Sequence, residues 1–326
     1  MIWRKGLASL FLLALSGCAT FPDITQARSA CVMEPGGWCS FTRDAASESF
    51  IYAIAATNVY KDEDEMFDLA GTSLRLVKSA ELPEEEARTG IDYDIYERYE
   101  RDPGSRQGER LRERIMAFRG TDAGTRDIIF GSLRDDQREL ALKYFDIEIA
   151  NYPDTAQWVV TGHSLGGALA TEVSVRKPEM ENLRVFAFNV SPFHTYKNGQ
   201  LDTKRIIISE RGEILRDFRR FRPAPPADMY IVSCIPRESS LEKHSIVRLA
   251  SCLTWIAAYR SNEAMTFIEA NANGPERTRI GKPPVECGEP DKVHPGPGHV
   301  EREPCLHSAM RLEDREQEEE ARRSRS

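Results

Sequence analysis

The 326-residue sequence predicts an α/β fold in which helices flank a mostly parallel central sheet. Strand-like and helix-like segments alternate through its middle, which is typical of parallel strands joined by crossover helices. A tight glycine-rich turn joins an apolar strand to an apolar helix within residues 158–170. Hydrophobic residues make up 40% of the chain and charged residues 29%, which is enough apolar material for the core of one large domain.

Hydrophobic periodicity and turn residues define the individual elements. Helical spacing predicts a first helix over 44–60, with Asp44 as its N-cap. The strand-like segments are 71–79, 91–99, 110–118, 156–161, 183–189, 205–209 and 229–235. The other predicted helices cover 133–151, 165 to before Pro178, and 245–260. Charged segments with proline and glycine separate the first three strands, as turns do.

The N-terminal segment 1–18 has the pattern of an export signal. Arg4 and Lys5 precede a short apolar stretch, and the segment ends Leu15-Ser16-Gly17-Cys18. This ending resembles a bacterial lipobox, whose cysteine is acylated and becomes the mature N-terminus. The resemblance implies that Cys18 is lipidated and anchors the protein in the cell envelope, and Ala19 favours the outer membrane, facing the periplasm. The alternative is an ordinary cleaved signal.

Composition divides the rest of the chain into a tether with a Cys-closed loop (19–43), a folded domain (44–273) and a Pro-rich, charged tail (274–326). Seven of the 18 prolines lie between Pro275 and Pro304, so we expect the tail to be disordered. The net charge is −8 and basic residues are not clustered, which argues against nucleic acid as a partner. No apolar run reaches the roughly 20 residues that span a bilayer.

The seven cysteines leave an even number once Cys18 is set aside, which indicates disulfides in an exported protein. Six cysteines allow about 15 complete pairings. Sequence proximity favours Cys31–Cys39, Cys234–Cys252 and Cys287–Cys305. No CxxC pair is present, so we expect no zinc or other metal site.

The chemistry is predicted at Gly162-His163-Ser164-Leu165-Gly166, a G-x-S-x-G pattern. It follows a β-branched strand and opens an apolar helix, which is the context of a nucleophile elbow. The turn is so tight that side chains two positions before and after the serine would collide. Ser164 at a helix N-terminus is therefore the candidate nucleophile.

A serine needs a base and an acid to attack an ester. His163 points away from Ser164 if the elbow forms, and the other histidines precede the acid or lie in the tail. His244, after the last strand, is therefore the candidate base. The acid should end the preceding strand; Glu213 is the first choice, followed by Glu210 and Asp217. For the oxyanion hole we expect Thr121, after the strand ending at Phe118, and the Leu165 backbone N–H.

The pair A-F-R-G-T-D (117–122) and T-G-H-S-L-G-G-A-L-A (161–170) resembles the class 3 lipase group of α/β-hydrolases, close to its bacterial Mbeg1-like relatives. The resemblance covers roughly residues 45–260. It implies an α/β-hydrolase fold, cofactor-free hydrolysis of acyl esters, often lipids, and the roles given above to Ser164, His244, Thr121 and Leu165. The sequence departs from the family at the acid, where those lipases usually carry Asp in N-x-x-D-x-V.

The expected function is therefore a membrane-anchored serine hydrolase that cleaves lipid or acyl esters. The alternatives are a hydrolase of small soluble esters or thioesters, and a non-catalytic envelope binding or assembly lipoprotein with the same fold. Family members often carry a lid helix after the oxyanion strand. Apolar residues within 123–134, among them Ile129, would form such a lid or a packed surface helix.

Overall fold

The computed structural model describes residues 31, 34–61, 65–105, 108–120, 135–154, 156–192, 204–221, 228–281 and 283. The strands are β1 (Leu74–Ser79), β2 (Tyr93–Arg101), β3 (Glu109–Phe118), β4 (Gln157–His163), β5 (Leu183–Phe188), β6 (Arg205–Glu210) and β7 (Asp228–Val232). The helices are α1 (Ser40–Asn58), α2 (Glu84–Ala87), α3 (Asp135–Asn151), α4 (Leu165–Arg176), α5 (Arg216–Phe221), α6 (Ile246–Ala257) and α7 (Asn262–Asn271). Short 3-10 helices cover Pro35–Gly37 and Glu242–His244.

The strands form one mixed seven-stranded sheet in the order β1-β2-β3-β4-β5-β6-β7. The β1–β2 and β2–β3 pairs are antiparallel, whereas β3 to β7 run parallel. The parallel register pairs Phe118 with Gly162, His163 with Phe188, and Phe188 with Ile208. The carboxyl ends of β3, β4, β5 and β6 therefore meet at one edge of the sheet.

Successive residues of each strand point to opposite faces of the sheet and so contribute to two hydrophobic layers, one on each face. On one face Ile115, Val159 and Phe186 pack with α1, α6 and α7. On the other face Met116, Val160 and Val185 pack with α3 and α4. Parallel strands covered on both faces must be apolar throughout, which explains the near-continuous apolar sequence of β4 and β5.

The predicted fold class, an α/β-hydrolase fold with a mostly parallel sheet flanked by helices, is confirmed by this arrangement. Several boundaries differ from the prediction. The first helix begins at Ser40 with Cys39 as N-cap, not at Asp44. The last strand ends at Val232 and not at 235, and the last predicted helix ends at Ala257 and is followed by α7. Packing continues as far as Ile280, which is buried against the first hydrophobic layer.

Two of the three predicted disulfides are present. Cys31 pairs with Cys39 and Cys234 with Cys252, at Cα–Cα distances of 5.0 and 6.1 Å. The pairing of Cys287 with Cys305 lies outside the described residues, as do Cys18, residues 284–326 of the predicted tail and the proposed lid segment 123–134. Among the helices that the structure describes, none combines the length and apolar character needed to cross a membrane.

Candidate active site

Ser164 lies on the sharp turn between β4 and α4, at the sheet edge where the parallel strands end. Its φ of 53° and ψ of −116° are strained for a residue with a side chain, a state that costs about 1–3 kcal/mol and occurs mostly at functional sites. The surrounding backbone holds this conformation. The Ser164 N–H donates to Phe188 O at 3.0 Å, and its carbonyl accepts from the Ser191 N–H at 3.0 Å.

Two glycines allow the turn to be this tight. A Cβ on Gly162 would clash with the Gly166 backbone, and a Cβ on Gly166 would clash with the carbonyl oxygen of Phe118. The second contact also places the end of β3 directly beside the turn. The predicted reason for glycine at both positions, close approach of backbone, is therefore what the structure shows.

The structure brings Ser164, His244 and Glu213 together. The Ser164 Oγ lies 3.0 Å from His244 Nε2, and His244 Nδ1 lies 2.7 Å from Glu213 Oε2. All three residues are buried, with 5%, 4% and 2% of their surface exposed. Because a carboxylate only accepts, the Nδ1 atom carries the proton and the Nε2 lone pair faces the serine hydroxyl. This is the geometry in which a histidine can take a proton from a serine.

Glu213 is held from three sides in the segment between β6 and α5. Its Oε2 accepts the Leu215 N–H at 2.9 Å as well as the His244 ring N–H. Its Oε1 pairs with Arg219 Nη2, and Arg219 Nη1 donates to Val190 O at 2.7 Å. The carboxylate therefore has donors on both oxygens and cannot rotate away from His244.

Both histidines at the site are uncharged at neutral pH. Burial, with a smaller effect of the nearby Arg219 charge, lowers the pKa of His244 to about 3. Burial also holds the pKa of His163 well below its ordinary value, and His244 adds to that effect. A neutral His244 is available to accept a proton over most of the pH range.

The ring nitrogens of His163 make their hydrogen bonds to the His244 backbone and to Tyr60, and not to the Ser164 hydroxyl. His163 Nε2 donates to His244 O at 2.7 Å, while its Nδ1 lies 3.1 Å from the Tyr60 hydroxyl. Asn189, with a φ of 43°, also donates to His244 O, at 3.2 Å. Two donors on one carbonyl position the 3-10 turn that carries the imidazole.

The alternative acids have other positions. Glu210, at the end of β6, accepts the backbone N–H groups of Cys234 and Ile235 at 2.9 and 3.2 Å and so anchors the chain after β7. Asp217 lies within α5. Among the carboxylates whose side chains the structure describes, Glu213 is the one that contacts His244.

Leu165 is the first residue of α4, where N–H groups are not used by the helix's own hydrogen bonds. Thr121, the other predicted oxyanion donor, lies outside the described residues, although Gly120 before it is described. Within the described part of the chain, no group of three or more His, Cys, Asp or Glu side chains could hold a metal ion.

Sequence reasoning missed Arg219 and Asn189. Arg219 is one of several arginines in Arg216-Asp217-Phe218-Arg219-Arg220, which reads as a charged surface segment. Asn189 directly follows β5 and has a positive φ, a conformation in which asparagine is enriched, and that preference was the available signal.

No protein-family model matches the chain. No curated protein matches it in sequence. Solved structures resemble it in fold at low identity. A variant of MDLA from Penicillium cyclopium is 13% identical, with 62% of this chain and 84% of that chain covered and a TM-score of 0.42. Lipase II from Rhizopus niveus is 16% identical, with 60% of this chain and 82% of that chain covered and a TM-score of 0.41. The Lip2 lipase from Yarrowia lipolytica is 16% identical, with 51% of this chain and 73% of that chain covered and a TM-score of 0.33.

The structures that resemble this chain thus include fungal lipases, and the likeness is one of general fold. The closer relation to Mbeg1-like proteins and the lipoprotein assignment stay predictions. The function proposed next rests on the geometry of this chain's own residues.

Proposed function

We propose that this protein is a serine hydrolase that cleaves carboxylic esters through an acyl-enzyme on Ser164. The observation that carries the proposal is the buried chain of contacts from Ser164 Oγ to His244 Nε2 and from His244 Nδ1 to Glu213 Oε2. A strained serine on a strand–helix turn, aimed at a neutral histidine, has no evident structural purpose. A serine, a histidine and a carboxylate in this order are the groups that acyl transfer requires.

In the proposed reaction His244 takes the hydroxyl proton as Ser164 Oγ attacks the ester carbonyl carbon. Glu213 stabilises the resulting imidazolium through the Nδ1–H bond. The proton then passes from His244 to the leaving alcohol, and the acyl group stays on Ser164. Water, activated by the same imidazole, releases the carboxylic acid and restores the serine.

The negative charge of the tetrahedral intermediate requires donors near the turn. The Leu165 N–H at the start of α4 is one such donor, and the helix dipole favours an anion there. Thr121 is proposed as the second donor, because β3 ends beside the turn and Thr121 follows three residues after Phe118.

Fluorophosphonates test the proposal directly because they phosphonylate activated serines. Wild-type protein should be labelled, Ser164→Ala should not, and Ser251→Ala should behave like wild type, since Ser251 Oγ only donates to Val247 O within α6. On p-nitrophenyl esters, Ser164→Ala and His244→Ala should each lower kcat by about 10⁴-fold or more. A folded wild-type protein without label or activity would instead favour the non-catalytic envelope lipoprotein.

For the substrate we propose lipid or acyl esters, hydrolysed at a membrane to which acylated Cys18 holds the enzyme. The motif resemblance at 117–122 and 161–170 and the Leu15-Ser16-Gly17-Cys18 pattern support this choice. The proposed location of the enzyme is therefore the outer membrane, facing the periplasm.

Hydrolysis rates on a series of esters from acetate to palmitate test the proposed substrate class. A rate that is highest on acetate would favour the alternative of small soluble esters.

A further inference from the structure

Arg219 links the carboxylate of the site to the backbone behind the nucleophile. Its Nη2 pairs with Glu213 Oε1 and its Nη1 donates to Val190 O at 2.7 Å. Val190 precedes Ser191, whose N–H donates to the Ser164 carbonyl. The Arg219 side chain is only 11% exposed, so this pairing is largely shielded from water and salt.

We infer that Arg219 is a positioning residue for the reaction proposed above: it clamps the Glu213 carboxylate and neutralises its charge, so that His244 remains an uncharged base in mildly acidic solution. This inference rests on the proposed function. Glutamate has one more rotatable bond than the aspartate usual in class 3 lipases, and the contact of Arg219 with Oε1, in addition to that of His244 with Oε2, removes that added freedom. The arginine thus compensates for the longer acid.

In the part of the chain that the structure describes, four titratable side chains surround His244 on the elements that pack against it. Glu213 from the β6–α5 segment is the negative group, and Arg219 from α5 is the positive one. His163 from the end of β4 is neutral and lies with its ring centroid 4.7 Å from that of His244. Lys243, on the same turn, directs its Nζ to Pro236 O at 2.7 Å.

The net effect of these groups differs from that of an isolated carboxylate–histidine pair. A lone carboxylate favours the imidazolium and raises the pKa of its histidine. Here the positive charge of Arg219 offsets Glu213, and Arg219 together with burial lowers the pKa of His244. Protonation of His244 would leave the buried cluster with a net positive charge. A base that stays neutral keeps its function as the pH falls.

The test compares Arg219→Gln with Arg219→Lys and with Arg248→Gln as the matched control. Gln removes the charge but can still donate to Glu213, Lys retains the charge, and Arg248 is an exposed arginine two residues into α6. For each protein, kcat/KM on a soluble p-nitrophenyl ester is measured from about pH 2 to 9, so that an acidic limb set by a His244 pKa of about 3 falls inside the range, and the His244 imidazole is titrated by NMR.

In Arg219→Gln the acidic limb of the profile should move to higher pH by about one unit or more. The variant lacks the positive charge that repels the protonated His244 ring and that neutralises the Glu213 carboxylate. That shift corresponds to a loss of about tenfold in kcat/KM at acidic pH relative to the plateau. Arg219→Lys and Arg248→Gln should keep the wild-type limb. A uniform loss of rate at all pH values in Arg219→Gln, without a moved limb, would mean a purely structural role and would overturn the inference.

The NMR titration separates this inference from the proposed function and does not depend on any variant folding. In wild-type protein the His244 midpoint should lie well below about 6.5, the ordinary value for histidine. A midpoint at or above that value overturns the inference even if Ser164 is reactive. A depressed midpoint in a protein that fluorophosphonates do not label contradicts the proposed function and therefore also overturns the positioning role of Arg219.

Discussion

Glu210 and Glu213 are close in the chain and both are buried, yet their carboxylates bind different partners. Glu213 accepts from the His244 ring, whereas Glu210 accepts from the backbone N–H groups of Cys234 and Ile235. Both side chains satisfy their lone pairs, so neither is stranded in the apolar interior. The hydrogen-bond partner, and not the degree of burial, therefore distinguishes the carboxylate proposed to act in the reaction from the one that anchors the chain after β7.

Replacing each glutamate by glutamine should therefore affect the rate differently. Glu213→Gln loses the charge that stabilises the imidazolium and that pairs with the buried Arg219, so kcat should fall by about 10⁴-fold, less than in Ser164→Ala, and the melting temperature should fall as well. Glu210→Gln loses an acceptor for buried N–H groups, which costs about 1–3 kcal/mol, and should lower the melting temperature with kcat largely retained. Ester kinetics and thermal unfolding measure both effects. If Glu210→Gln lowered kcat more than Glu213→Gln, Glu210 and not Glu213 would be the acid of the triad.

At the scale of elements, the Cys234–Cys252 disulfide joins the chain after β7 to the middle of α6. The loop that it closes contains the 3-10 turn Glu242–His244 and the start of α6 at Ile246. His163 and Asn189 hold the same turn through the His244 carbonyl. The base is thus fixed by a covalent link on one side and by two hydrogen bonds on the other.

Breaking this disulfide should affect both stability and rate. The closed loop spans a sequence separation of 18 residues, and loss of its bridge should cost about 3 kcal/mol in unfolding free energy. Because His244 lies inside the loop, Cys234→Ala/Cys252→Ala should also lower kcat. Cys31→Ala/Cys39→Ala, which opens an 8-residue separation away from the site, should lower the melting temperature alone. Equal kcat in the two double variants would show that the disulfide does not position His244.

At the scale of the whole molecule, the sheet brings distant segments to one edge. Ser164 and His244 are 80 residues apart and Glu213 and His244 are 31 apart, yet both pairs are within hydrogen-bond distance. The parallel strands β4, β5 and β6 end together, which places the elbow, Asn189 and the acid segment side by side. Ligands and reacting groups in open parallel sheets gather at this carboxyl edge for the same reason.

Location is a property of the whole chain as well, and Cys18→Ser tests the proposed anchor. Cys18 precedes the folded region by sequence, so the variant should hydrolyse a soluble ester at the wild-type rate. It should not incorporate a fatty-acid analogue in metabolic labelling, and it should leave the membrane fraction. If the wild-type protein takes up no label and accumulates in the medium, the lipoprotein assignment is wrong and the protein is a secreted esterase.

Local patterns in the sequence are sufficient for much of the fold. The alternation of strands and helices predicts the sheet, because hydrophobic periodicity records which faces are buried. Sequence reasoning missed three helices: α2 and α5, which are four and six residues long, and the ten-residue α7, which begins shortly after the last predicted helix. The first helix starts at Ser40 because the Cys31–Cys39 segment is part of the packed structure, which local capping preferences at Asp44 do not reveal.

The candidate nucleophile and base follow from sequence alone, because the constraints on them are local. The elbow needs glycines at Gly162 and Gly166 for close backbone contact, and His244 is the histidine that follows the candidate acids and precedes the Pro-rich tail. The contact of Glu213, and not of Glu210, with His244, and the presence of Arg219 and Asn189 beside these residues, became evident only in the tertiary structure. Which carboxylate reaches the imidazole depends on the path of the chain between β6 and α5, and a charge pair between side chains leaves no periodic trace in the sequence.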